Sequence, residues 1–271
     1  MHRITKLVLP VAGLGKRLLP LTKKLPKNLL PVNGKPLMEY VLDEAVLAGI
    51  KEIILIVNPI HRRHFERYIR LNRSNFPGLS FHIREQATPG GNGHAIVQAH
   101  DIIGREPFVV RFCDDVILSR PSVISSLIAL FRIHKSPILL LERVPKNLVS
   151  RFGVVGVSRV KKRIYRIKKI VEKPKFALAP SNLTIVGGYV LTPSILRNLK
   201  SVADTLPVIA DDALPLAVAL QIELIVGGRV YGWEFPGKRL DCGTLEKLKK
   251  AEEFLKKRQV TGDKRQWTTN E

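Results

Sequence analysis

Cysteine is scarce in this chain, with only Cys113 and Cys242 in 271 residues. Two thiols cannot build a disulfide framework, and no C-x-x-C spacing offers a zinc site or a redox pair. Small buried residues is the plain reading of both. Aromatic residues make up 6%, too few for a surface of cations regularly interleaved with stacking rings. No apolar run reaches the ~20 residues a membrane-spanning helix needs. The opening MHRITK enters a strand without a signal-peptide apolar region, so a cytoplasmic protein with no membrane partner is expected. Acidic residues are outnumbered, 23 against 45 Lys and Arg, for a formal net charge of +22. A polyphosphate substrate needs only a local positive field. Here the excess is spread over runs such as RVKKRIYRIKK (159–169), KLKK (247–250) and KKRQ (256–259). Those runs suit either contact with RNA or an acidic surface, or a solvated face, and both readings stay open. What is abundant is apolar: 45% hydrophobic content supports one large core, with no internal repeat and no linker between independent domains.

The stretch LVLPVAGLGKRLLPLTKKLPKNLLP, residues 7–31, organises the rest. Its start, Leu7 to Pro10, predicts a buried strand that ends in a loop holding Gly13 and Gly15. Glycine lets the backbone take positive φ and come close to a ligand, with successive N–H groups facing an anion. Lys16, Arg17, Lys23, Lys24 and Lys27 follow, interrupted by Pro20, Pro26 and Pro31, which exclude a regular helix. These cations sit on a loop and are free to converge on phosphate. GxxxxGK[ST] is missing, as is the third glycine of a dinucleotide fingerprint, so neither P-loop nor Rossmann mechanics applies directly.

Further on, Leu37, Tyr40, Val41, Leu42, Ala45 and Val46 form a helical stripe starting on Pro36 and ending near Gly49. EIILIV at 52–57 is a strand, and strand, loop, helix, strand makes a parallel crossover, so the first half is α/β. A basic helix is expected over 60–71. His61 and His64 there have no carboxylate cluster beside them and read as solvated rather than metal-bound. After a strand at 79–83, Pro89-Gly90-Gly91-Asn92-Gly93 predicts a flexible second ligand loop that opens a helix from about His94. Strand 107–112 ends in Cys113-Asp114-Asp115, where adjacent carboxylates suit Mg²⁺, a cation that takes one or two carboxylates plus substrate phosphates. A helix near 121–134 and a strand at 137–144 come next. Residues 152–157 and 163–172 then read as paired strands around a basic turn rather than another crossover. An apolar helix is expected at 211–220, and a closing helix from about Leu245 to Lys257 carries Leu248, Ala251, Phe254 and Leu255 on one face.

Several ordered strings carry a resemblance. They are G-x-G-x-R with P-K-x-L-x-P (Gly13 to Pro31), Gln86 followed by Gly91-Asn92-Gly93-His94-Ala95, Asp114, Val171-Glu172-Lys173-Pro174, Ala179-Pro180-Ser181-Asn182-Leu183, Val186-Gly187 and Asp241-Cys242-Gly243. Together, over roughly residues 4–258, they resemble the signatures of sugar nucleotidylyltransferases, in particular bacterial UTP-glucose-1-phosphate uridylyltransferases. The resemblance implies an α/β, Rossmann-like nucleotidyltransferase fold: a mixed, mainly parallel central sheet flanked by helices, with a small antiparallel sugar-side sub-region. It implies a single domain over 1–258 and a disordered tail over 259–271. It implies transfer of a uridylyl group from UTP to glucose 1-phosphate, giving UDP-glucose and pyrophosphate, with Mg²⁺ as cofactor. By resemblance Ala12, Gly13 and Gly15 hold the nucleotide, Arg17 the leaving pyrophosphate and Lys27 phosphate groups, while Gln86 and the Gly91 backbone read the uracil edge. Asp114 and Asp241 hold the metal, Lys173 approaches the sugar phosphate, Glu172 accepts sugar hydroxyls, and Gly153 and Gly187 let the ring pack close.

The chain departs from the family pattern at Lys16, where Thr or Ser is usual, and at Gly90, often Lys. It departs again at ADDALPLAVA, where Asp212 replaces a glutamate, and in the short stretch before Gln86, which is also short in thymidylyltransferases. Accordingly a dTTP-using or other sugar-1-phosphate nucleotidylyltransferase, and a non-catalytic relative that binds a sugar nucleotide or RNA, are carried as alternatives. Homo-oligomerisation and non-specific nucleic-acid contact are left open.

Overall fold

The computed structural model describes residues 3–205 and 214–260. Strand β1 (Lys6–Pro10) has Leu7, Val8 and Leu9 fully buried, as an unbroken apolar run requires when both faces of a sheet are covered. Three short 3₁₀ turns, Lys16–Leu18, Leu21–Lys23 and Lys27–Leu29, take the chain through its proline-spaced lysines without a regular helix. A small hairpin, β2 (Pro31–Val32) and β3 (Lys35–Pro36), leads into α1 (Leu37–Ala48). That helix stops at Gly49, whose φ of 75° lets its N–H reach the carbonyls of Ala45 and Val46. β4 (Glu52–Val57), α2 (Arg62–Asn72) and β5 (Ser80–Glu85) follow, then α3 (Gly91–Val97), α4 (His100–Ile103) and β6 (Phe108–Arg111). β7 (Asp115–Leu118), α5 (Val123–His134) and β8 (Ile138–Arg143) precede the long hairpin of β9 (Gly153–Lys161) and β10 (Ile164–Glu172). The chain closes with β11 (Leu183–Leu191), α6 (Pro193–Thr205), α7 (Leu216–Ile225), β12 (Tyr231–Glu234), β13 (Lys238–Asp241) and α8 (Leu245–Val260).

Nine strands form one sheet in the order β5-β4-β1-β6-β11-β8-β12-β10-β9, and β13 pairs separately with β7. Alternation along β1 sends Leu7 and Leu9 into the core shared with α1 and α5, and Val8 into the core shared with α3, α6 and α7. A third cluster packs Leu248, Ala251 and Leu255 of α8 onto Leu18, Leu30, Val32 and Leu37, so the closing helix covers the lysine-rich turns.

Several expectations are corrected. Parallel pairings account for four of the eight neighbouring pairs, so the sheet is more evenly mixed than mainly parallel. The expected antiparallel sub-region is the β9–β10 hairpin, which forms the far end of the same sheet, joined through β12 and by the pairing of Val154 with Thr184. The second-loop helix starts at Gly91, not His94. The helix expected at 211–220 runs Leu216–Ile225, because Pro215 holds Leu214 out of helical geometry and suits the position just before the first turn. His61 is buried rather than solvated, with its ring edge-on to His64 at 5.9 Å. Burial and the neighbouring His64 lower its pKa. Finally, α8 continues through residues 259 and 260, which the sequence pattern places in the tail; the rest of that tail and Asp212 lie outside the described residues.

Candidate active site

Strands β5, β4, β1 and β6 all point the same way, so the loops leaving their C-terminal ends gather on one rim of the sheet. Open α/β sheets take ligands there. The glycine loop leaves β1, Gln86 follows β5, and Asp114 stands just beyond β6. At Gly15 the backbone takes φ 65°, and a Cβ would lie 2.8 Å from Thr22 Cγ2 and 3.1 Å from Lys27 Cβ. Only glycine fits this crossing without strain. The buried Thr22 hydroxyl donates to the Gly15 carbonyl at 3.0 Å, holding the loop closed. Gly13 is exposed and open: a methyl group there would have Lys27 Cε, 4.0 Å away, as its nearest neighbour. Ala12 is half-buried at the strand end. Lys27 therefore runs beneath the glycine loop, and its Nζ reaches Asp114 Oδ2 at 3.1 Å. Burial pushes the Asp114 carboxyl up, but the Lys27 charge and hydrogen bond outweigh it and hold the group below the usual carboxylate range.

The register of β13 on β7 sets Asp241 opposite Asp115, and the Cys242 N–H donates to the Asp114 carbonyl at 3.0 Å. The backbones bearing the two carboxylates expected to hold metal thus adjoin at one corner, although they are far apart in sequence. Asp241 accepts from the Gly243 N–H at 2.8 Å and pairs with Lys247. Burial raises its pKa, and Lys247 together with that N–H more than reverses the effect. Arg17 completes the corner: its guanidinium lies 3.4 Å from the position a Cβ on Gly243 would occupy. Asp115 faces inward to Arg239 at 3.3 Å, which also binds Glu142 at 2.6 Å. Burial and the neighbouring Asp114 push Asp115 up to about 7 against the pull of Arg239. Cys113 and Cys242 are buried and their thiols are pushed up to about 12, mainly by burial, so both are packing groups. Among the described residues no group of three or more His, Cys, Asp or Glu is arranged to hold a metal ion. Asp114 and Asp241 offer two hard oxygen donors, each balanced by a lysine, and that set fits Mg²⁺, which leaves its other positions to water and phosphate.

The second loop is tightly held. Gln86 is buried, and its amide donates to the Gly91 carbonyl at 3.0 Å and meets His94 Nδ1 at 3.0 Å. Asn92 accepts from the Leu216 N–H at 2.7 Å, and the Gly93 N–H donates to the Leu214 carbonyl at 2.9 Å. The loop expected to be flexible is pinned from both sides.

At the hairpin base Gly153 pairs with Glu172, and a Cβ on Gly153 would sit 3.0 Å from Glu172 Oε2. Thr184 of β11 pairs with Val154, which brings Gly187 to the same end of the sheet. The space over Gly187 is filled by Phe112, 2.7 Å from a Cβ position, so a packing demand already accounts for that glycine. Glu172 and Lys173 are exposed, and Lys173 has φ 43° while its N–H donates to the Phe152 carbonyl at 3.0 Å. A positive φ on a lysine is strained backbone, of the kind that collects at ligand sites.

A family model described as nucleotidyl transferase matches residues 6–258. The chain belongs to the nucleotidyl transferase family. Among relatives of this family, UTP–glucose-1-phosphate uridylyltransferase of Bacillus subtilis (strain 168) is 35% identical over 92% of this chain and 89% of its own. A UDP-glucose pyrophosphorylase solved with UDP-glucose superposes with a TM-score of 0.86 at 32% identity, covering 94% of this chain and all of the other. A UTP-bound UGPase from Acinetobacter baumannii gives 0.80 at 28% identity, covering 97% of this chain and all of the other.

Sequence reasoning missed Thr22, Lys247, Phe112 and the buried pair of Arg111 with Glu44. Only Lys247 had a local signal, as a cation one turn past the Asp241-Cys242-Gly243 string. The others act through partners far off in sequence or, like Thr22, through loop geometry.

Proposed function

We propose that this nucleotidyl transferase transfers a uridylyl group from UTP to glucose 1-phosphate, releasing pyrophosphate and forming UDP-glucose, and that residues 1–258 act as one domain. A phosphate oxygen of the sugar forms a bond to the α-phosphorus of UTP while the bond from that phosphorus to the β-phosphate bridge oxygen breaks. Little covalent chemistry is asked of the protein, so positioning and charge stabilisation carry the reaction. The supporting observation is the convergence of Lys27 on Asp114, at 3.1 Å, beneath the glycine loop and next to the strand end bearing Asp241. In this reading Ala12, Gly13 and Gly15 pass close to the nucleotide, and the Gly91 backbone, set by Gln86, faces the uracil. Arg17 takes the departing pyrophosphate and Lys27 the phosphates near Asp114. Lys173 meets the sugar phosphate, Glu172 the sugar hydroxyls, and Gly153 leaves room for the ring. Asp114 and Asp241 would hold Mg²⁺, which supplies charge neutralisation between two anionic reactants. A cytoplasmic setting fits these soluble substrates, and no helix among the described residues is long and apolar enough to cross a membrane.

The test is Asp114→Asn and Lys173→Ala, each expected to keep the wild-type fold by circular dichroism while losing at least ~100-fold in kcat, in line with removal of one transition-state charge contact. Wild-type rates in either variant would remove that residue from the mechanism.

A further inference from the structure

Positive charge is not evenly balanced over this molecule. Between Glu142 and Glu172 the sequence holds ten Lys and Arg and no acidic residue. Elsewhere many surface cations are paired: Arg62 with Glu66 and Glu85, Lys200 with Asp204, Lys250 with Glu246, Lys256 with Glu252. Among the described residues no ion pair or side-chain hydrogen bond uses a cation of the β9–β10 hairpin. Arg159, Lys161, Lys162, Lys168 and Lys169 are all exposed. Arg163 lies close enough to Glu234 to help lower its pKa, and Glu234 already holds Arg143 and Tyr165. Unpaired like charges on one ribbon repel, and a fold that only needed solubility would gain by interspersing acids, as α8 does.

The hairpin is also the right shape for a line of charge. β9 is the last strand of the sheet, and its nine residues span about 30 Å, with Arg159 and Lys161 two residues and about 7 Å apart. The base carries Gly153 and Glu172, so the cationic tip lies at the far end from the proposed sugar site. Beside the tip, the His134 and Tyr231 rings stack at 4.0 Å; Arg166 is the ladder partner of Tyr231, and burial, with the Lys161 charge second, lowers the pKa of His134. Val160 is the one large apolar side chain exposed on the hairpin. Membrane-surface elements carry several such anchors, so the chemistry favours a linear polyanion over a lipid surface.

We propose that the β9–β10 hairpin is a sequence-independent binding surface for the phosphate backbone of nucleic acid, with single-stranded RNA as its partner. Such binding is driven by counterion release and falls steeply with salt. This surface is independent of the uridylyl-transfer reading, since its cations are none of the residues given a role there and Gly153 and Glu172 lie at the opposite end of the hairpin.

The test is fluorescence anisotropy of the full chain with a labelled 20-nucleotide RNA of mixed sequence at 50 and 200 mM KCl. Six contacts predict a log–log salt slope near −4, so affinity should fall about 300-fold over that range. The variant Arg159→Gln/Lys161→Gln/Lys168→Gln should flatten the slope by about 2, with the pyrophosphate-release rate and melting temperature unchanged. Lys249→Gln/Lys256→Gln/Lys257→Gln on α8 removes the same net charge and should leave the slope alone. The proposal is overturned if both triple variants weaken binding equally, if no salt-dependent RNA binding is found, or if the chain binds anionic phosphatidylglycerol vesicles in preference to RNA.

Discussion

Arg111→Leu should unfold this protein more readily than any single change at the exposed site residues. Arg111 is fully buried on β6, with Nη1 donating to the carbonyls of Phe112 at 3.1 Å and Gly187 at 3.0 Å. Its Nη2 meets Glu44 of α1 at 3.3 Å, and Glu44 in turn accepts from the Ile124 N–H at the start of α5. Removing the guanidinium leaves a buried carboxylate unpaired, which costs about 3–5 kcal/mol. For a chain of this size that is a melting-temperature drop of roughly 10 °C. Glu44→Leu/Arg111→Leu removes both charges, and it should recover at least about 2 kcal/mol of the single-variant loss. Burial raises the Glu44 pKa above its ordinary 4.5 even with Arg111 nearby. A carboxyl raised in the folded state favours folding below its unfolded value, and that stability is lost as pH rises through the folded value. The deficit of Arg111→Leu should therefore be smallest near pH 4.5 and grow toward neutrality. Urea unfolding of the three proteins at pH 4.5 and 7.5 is the assay. A single variant within about 1 kcal/mol of wild type at pH 7.5, or a double variant no more stable than the single, would refute this reasoning, since either departs from the cost of an unpaired buried charge.

Other outcomes follow from the same geometry. Gly15→Ala must place a methyl 2.8 Å from Thr22 at φ 65°, which should cost about 1–2 kcal/mol; it should also weaken UTP binding by calorimetry. Gly13→Ala, with open space, should melt like wild type. Glu234 is held below its usual range: burial raises its pKa, but Arg143 and Tyr165 outweigh it. Glu234→Gln should therefore cost about 1–2 kcal/mol at neutral pH, after allowance for the half-exposed Arg143. That contribution is present above pH 4.5 and is lost as pH falls through the lowered value, so acid titration of the two proteins should converge.

The parallel crossover of the first half is legible in the sequence because β1, α1 and β4 carry strong apolar patterns broken by Gly49 and the prolines. The candidate site is legible where the residues proposed to meet ligand form a local string: Gly13 to Lys27, Gln86 with the Gly91 loop, and Asp241 with Gly243. What stays hidden depends on pairing at a distance. Nothing near Asp241 in sequence says that β13 lies against β7, and nothing near Arg111 says that Glu44 waits 67 residues earlier. The antiparallel pairing of β9 with β10 is plain from their pattern, yet their membership of the main sheet rests on β12, a four-residue strand too short to signal its partners, and on the single pairing of Val154 with Thr184. The connection between α2 and β5 is short, and that is the one feature that keeps dTTP in view.

Pyrophosphate release with Mg²⁺, crossing UTP, dTTP, CTP and ATP against glucose 1-phosphate and related sugar 1-phosphates, tests the central claim most directly. Fastest release with UTP and glucose 1-phosphate is the predicted result. Release with another pair would keep the displacement mechanism and overturn the substrates, whereas silence across the grid from folded protein would contradict the enzyme reading altogether.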